Sequence, residues 1–193
     1  MVKALLDGTK TQTRRIIKPQ PDFELSGRFP ATHCSHHARP ANSFDWKGHT
    51  IADVAFPAWC PYGVAGDRLW VRETWFDIRK WERETGLKSG VKEDVQYRAD
   101  FPGDFRNVKW NPSIFMPRKF SRITLEITHV RVERLNSISE DAAMAEGITD
   151  TWLVSQHFSS DRIYGYKMLW ESLHGEESWM SNPFVWVLEF HKL

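Results

Sequence analysis

The sequence has little of what usually marks a function. Two cysteines, Cys34 and Cys60, in 193 residues are too few for a disulfide framework. No apolar run approaches the roughly 18 residues that span a bilayer. The opening MVKALLDGTK is too short and too polar for a signal peptide, so a cytoplasmic protein without a membrane partner is expected. Neither sign of charge dominates. With 26 basic and 25 acidic residues, the net charge of +1 excludes a protein that coats nucleic acid by bulk charge. Internal repeats, low-complexity tracts and a glycine-rich phosphate loop are absent.

What is plentiful is aromatic surface: 10 Trp, 12 Phe and 4 Tyr. Such side chains fill cores and also stack on nucleobases. With 41% hydrophobic residues, the chain has enough apolar surface for a proper core.

Patterning predicts strands with few, peripheral helices. A short helix opens the chain and ends at Gly8. Residues 19–66 read as long loops with one strand near Thr50–Val54. Residues 68–75 read as a strand, and 76–112 as a second insertion. Alternation over Arg122–Val132 marks the clearest strand, and its apolar phase slips by one before Val130, which predicts a bulge. Ser139 caps a helix that Gly147 ends, and a second helix spans about Ser160–Leu173 with Ile163, Tyr166, Trp170 and Leu173 on one face. Phe184–Phe190 is nearly all apolar, as a central strand should be. Trp152, Trp170, Trp179 and Trp186 read as core. With no βαβ alternation, the class is α+β, with a small mixed or antiparallel barrel.

Four constellations bear on chemistry. Gly8-Thr9-Lys10-Thr11-Gln12-Thr13-Arg14-Arg15 sets a lysine three residues before a hydroxyl and beside two arginines. A lysine with a lowered pKa can activate a hydroxyl, and an arginine can fork a phosphate. On spacing alone, a solvated basic turn leading into an edge strand is the simpler reading. In Asp67–Glu73, Trp70 and Arg72 would share a strand face, either as a stacking platform with a phosphate contact or as a core tryptophan and an ion pair. Glu146 ends a helix, where a carboxylate opposes the dipole, so it is either a functional group or a solvated surface residue. His33, Cys34, His36 and His37, with His49 and Cys60 downstream, are metal-ligand types, but their spacing matches no standard zinc pattern. A loop histidine cluster is the simpler reading.

Taken together, four stretches resemble the ASCH domain family of the PUA-like superfamily, in the larger form carried by phages and prophages. They are Leu5–Arg15, Pro61–Trp75, Ile138–Ile148 and Asn182–Phe190. The resemblance implies one PUA-like domain over 1–193: a small mixed β-barrel with peripheral helices and long insertions at about 19–60 and 76–118. It implies a cleft for RNA or a modified nucleoside. One bacterial branch of the family hydrolyses N(4)-acetylcytidine, and other members resemble ribonucleases or plain RNA binders. By that resemblance Lys10, Thr13 and Glu146 are the catalytic positions, with Thr13 as nucleophile, Lys10 as its activator and Glu146 as proton shuttle. Arg14, Arg15, Trp70, Arg72 and Glu73 are the expected substrate or RNA contacts. The implied chemistry needs no cofactor and no metal. Relatives usually carry a strand before the helix at which this sequence begins.

Overall fold

The computed structural model describes residues 2–18, 20, 60–90, 92–101, 109–157 and 161–193. The expected strand at Thr50–Val54 and the histidines of the 33–49 cluster lie outside the described residues.

Helix α1 (Val2–Leu6) buries Leu5, and Gly8 follows it with φ +74°. Strand β1 (Gln12–Ile16) pairs antiparallel with β6 (Phe184–Lys192), Gln12 opposite Glu189 and Ile16 opposite Val185. β2 (Arg68–Trp70) is shorter than the strand expected over 68–75; β3 (Trp75–Asp77) resumes after a break at 71–74. β5 (Thr124–Arg134) is the long alternating strand.

The main sheet has the order β1-β6-β5-β2. Its pairings run antiparallel. Leu135 N–H reaches Pro183 O at one end of β5·β6 and Leu193 N–H reaches Thr124 O at the other, while Val71–Ile123 and Ile127–Asp67 bonds join β2 to β5. The two end bonds of β5·β6 differ in register by one residue, with the extra residue on β5. Burial agrees: Leu125 and Ile127 are buried, then Val130 and Val132, with Thr128 and His129 between them less so. The bulge expected from the sequence is therefore present, and it keeps the apolar residues of β5 on one face. β6 is central, as its composition predicts. Phe184 to Leu188 are all buried, because both faces of the strand are covered.

Three helices follow β5, where two were expected. Ser139 Oγ accepts from Ala142 N–H to start α3 (Glu140–Ala145). Thr149 likewise caps α4 (Asp150–Ser155), which the sequence reading missed because six residues are too few to show a period. Asp161 caps α5 (Arg162–His174). Tyr166 and Trp170 are buried as expected, but Leu173 is 57% exposed, since the apolar cluster ends at Trp170. That cluster joins Ala143, Ile148, Leu153, Tyr166 and Trp170 to Val185 and Val187, with Trp152 and Trp179 packed against it.

The described chain divides into two compact units. One comprises essentially residues 3–68 and 126–191; the other is centred on 69–125. Within the second, β3 pairs with β4 (Val95–Tyr97), and α2 (Ile78–Thr85) starts at an Asp77 cap and ends at Gly86. Trp75, Val95 and Met116 form one apolar cluster within it. The stretch read as a second insertion, 76–112, thus carries a helix and a strand of its own, the strand β4 pairing back on β3. The class is α+β.

Candidate functional site

Two backbone bonds hold the lead into β1. Lys10 N–H donates to Ala4 O at 3.0 Å, and Thr11 N–H to Ala145 O at 2.9 Å. The second ties this segment to the last residue of α3, so Lys10 lies against the helix C-terminus. Gly147 continues there with φ +97°. That backbone conformation favours glycine, and a Cβ on it would also sit tightly, 3.3 Å from Ala4 Cβ and 3.5 Å from Lys10 Cβ.

Glu146 is the C-cap of α3. Lys10 Nζ donates to its Oε2 at 2.7 Å and to its backbone oxygen at 2.9 Å. The two side chains are each only 4% exposed. Arg14, fully buried, donates to Glu146 Oε1 at 3.3 Å and to Glu133 Oε2 at 2.9 Å. The dipole penalty on a carboxylate at a helix C-terminus is thus offset by two cations and two charge-assisted contacts. Lys10 is less basic than an ordinary lysine. Burial lowers its pKa most, Glu146 raises it, and Arg15 and Arg14 lower it further. A desolvated amine at 2.7 Å from a carboxylate can pass a proton along that bond, which is the chemical capacity of the pair.

The ionic chain continues across β5 and β6. Arg131 bonds Glu133 and Glu189, and its Nη2 donates to Gln12 Oε1 at 3.1 Å. The sequence reading missed Arg131 and Glu133. Their signal was present: opposite charges two apart on a strand share a face, here the face opposite Val130 and Val132. Tyr166 packs beside Arg14, whose guanidinium carbon lies 5.9 Å from the ring centroid, and burial raises the pKa of its hydroxyl.

The expected residues do not all meet. Lys10 and Glu146 converge, and the reading of this stretch as a solvated turn is corrected by the burial of Lys10 and Arg14. Burial along β1 alternates, with Gln12 and Arg14 buried, Thr13 partly buried and Arg15 exposed. Thr13 and Arg15 therefore occupy the opposite strand face from Arg14. Thr13 makes no side-chain hydrogen bond among the described residues. Arg14, expected as a substrate contact, is instead locked between two carboxylates.

Arg15 lines a groove of about 480 Å³ with Ile17, Lys18, Tyr62, His174 and Trp186. Arg15, Lys18 and Tyr62 are exposed. His174 is held below the ordinary histidine range by burial first, then by the charges of Arg15 and Lys18. Lys18, Tyr62 and His174 were not anticipated, because 156 positions separate the ends of this set and no local pattern links them.

In the second unit, Trp70 and Arg72 do stack, with the guanidinium carbon 4.7 Å from the ring centroid. Arg72 also donates to Ile114 O at 2.9 Å. Glu73 is no surface contact. It is 1% exposed and held by both arms of Arg122 at 3.0 and 2.9 Å, while Arg122 also forks Asp100. This double fork closes on Tyr97, whose ring centroid is 4.0 Å from Arg122 Cζ.

Cys60 is buried, and burial pushes its thiol up to about 11. Among the described residues no group of three or more His, Cys, Asp and Glu side chains is placed to hold a metal. Nor is any described helix long and apolar enough to cross a membrane. No family model, curated protein or solved structure matches the chain.

Proposed function

We propose that the chain is an ASCH-type protein with a PUA-like core that binds RNA or a modified nucleoside. One observation carries this reading. Lys10 and Glu146, 136 positions apart, meet at 2.7 Å in a buried site, and they are the two positions at which the resemblance puts a reactive lysine and glutamate. Burying two charges costs several kcal/mol per ion, and a well-packed apolar pair would do the structural work as well. A desolvated, hydrogen-bonded pair of this kind is better explained by a site than by stability.

Amide hydrolysis of N(4)-acetylcytidine is the second reading, and the same pair favours it. The Thr13 oxygen would bond to the acyl carbon as Lys10, in its neutral amine form, takes the hydroxyl proton. That proton would pass through Glu146 to the leaving amine as the acyl C–N bond breaks, and water would then hydrolyse the Thr13 ester to release acetate. This chemistry requires the Thr13 hydroxyl to reach Lys10, whereas strand alternation turns Thr13 away from Arg14, the other cation on Glu146. Binding without turnover is therefore the better supported of the two.

The test measures both on the full chain. A fluorescent single-stranded RNA is titrated at several salt concentrations, and N(4)-acetylcytidine is incubated with wild type and Thr13→Ala. The binding reading expects RNA affinity that falls steeply with salt and survives Thr13→Ala, with no acetate released. Acetate release that vanishes in Thr13→Ala would establish the hydrolase. Neither binding nor turnover would overturn both.

A further inference from the structure

We propose that the groove beside β1 is a phosphate site, in which Arg15 and Lys18 hold the phosphate of a nucleotide and Tyr62 meets its base. The inference rests on the nucleoside reading and narrows it to phosphorylated ligands, either a mononucleotide or the backbone of an RNA.

Lys10, Arg14, Arg68, Arg131, Arg162 and Lys167 of the same unit each have a carboxylate partner. Among the described residues Arg15 and Lys18 have none, and none of the described residues that line the groove is an acid. Two exposed cations three positions apart thus face a cleft in which no described residue neutralises them, in a chain whose net charge is only +1. Their field reaches across the cleft, since both lower the basicity of His174 on the opposing element.

Shape and chemistry agree with this assignment. About 480 Å³ is within the usual range of small-ligand sites and is roomy enough for a nucleoside monophosphate. An arginine forks two phosphate oxygens while a lysine supplies a point charge. Tyr62 is 39% exposed and offers a ring face to a base. Arg14 is excluded from this role, because both of its arms are committed to carboxylates.

The experiment is calorimetric titration of the full chain with cytidine, cytidine 5′-monophosphate, a short oligocytidine RNA and inorganic phosphate. Wild type is compared with Arg15→Ala/Lys18→Ala, both side chains being exposed, and circular dichroism checks that the variant keeps the fold. The monophosphate should bind at least roughly tenfold tighter than cytidine, and the double variant should erase that advantage. RNA binding tighter than the monophosphate, with a salt slope lost in the variant, would make the backbone diester the source. Inorganic phosphate bound in a variant-sensitive way, without nucleoside affinity, would keep the phosphate site while the nucleoside reading fails. Equal affinity for cytidine and its monophosphate, an advantage that survives the double variant, or no binding of any probe would overturn the proposal. Turnover of N(4)-acetylcytidine with no phosphate preference would overturn it while leaving the nucleoside reading in place.

Discussion

Glu146 is the shared anion of two buried cations, and that asymmetry has a measurable consequence. Glu146→Gln leaves Lys10 and Arg14 without the carboxylate that both contact, so it should cost about 3–5 kcal/mol. Lys10→Met keeps the aliphatic stem and leaves Glu146 its contact with Arg14, so it should cost under about 2 kcal/mol. Urea unfolding at constant m-value compares the two; equal losses would mean that Glu146 is not the common partner. At this scale the sequence was legible in part. Lys10 and Glu146 stood out, one by its motif and one by its adverse place at a helix end. The burial of Arg14 beside an exposed Arg15 followed from which strand face meets the helices, and residue type carries no trace of that.

Elements place these groups through close approach. Gly165 on α5 lies so near α4 that a Cβ there would be 2.5 Å from Leu153 Cδ2 and 3.1 Å from Ile148 Cγ2. Gly165→Ala should therefore lose about 1–3 kcal/mol by overpacking, although alanine is the better helix former. A thermal melt showing no loss would mean that α4 yields readily. Elements were also the level at which patterning served best. The apolar run of Phe184–Phe190 announced a central strand, and the phase slip before Val130 announced the bulge. The short α4 escaped, since a six-residue helix is held by its Thr149 cap and by packing on α5 rather than by a period. The strand expected over 68–75 broke at 71–74, where Glu73 is buried on Arg122 and Val71 N–H still reaches Ile123.

For the molecule as a whole, the two compact units differ in what holds them. The unit containing β1 rests on a broad apolar cluster, whereas the unit centred on 69–125 has a smaller cluster of Trp75, Val95 and Met116 among the described residues, supplemented by the Glu73–Arg122–Asp100 fork. Arg122→Met strands the 1%-exposed Glu73 carboxylate, so hydrogen-exchange protection should drop first within 69–125. Uniform loss across both units would refute that local role. The sequence by itself determined the α+β class, the ends of its best-capped helices and its central strand, because these depend on local period and capping. It also singled out Lys10 and Glu146 as candidates. Only the tertiary structure decided that those two meet, that Thr13 faces away from Arg14, and that Lys18, Tyr62 and His174 join Arg15 in one groove. Such proximities are set by sheet order, strand register and helix packing, which bring together residues that no local signal connects.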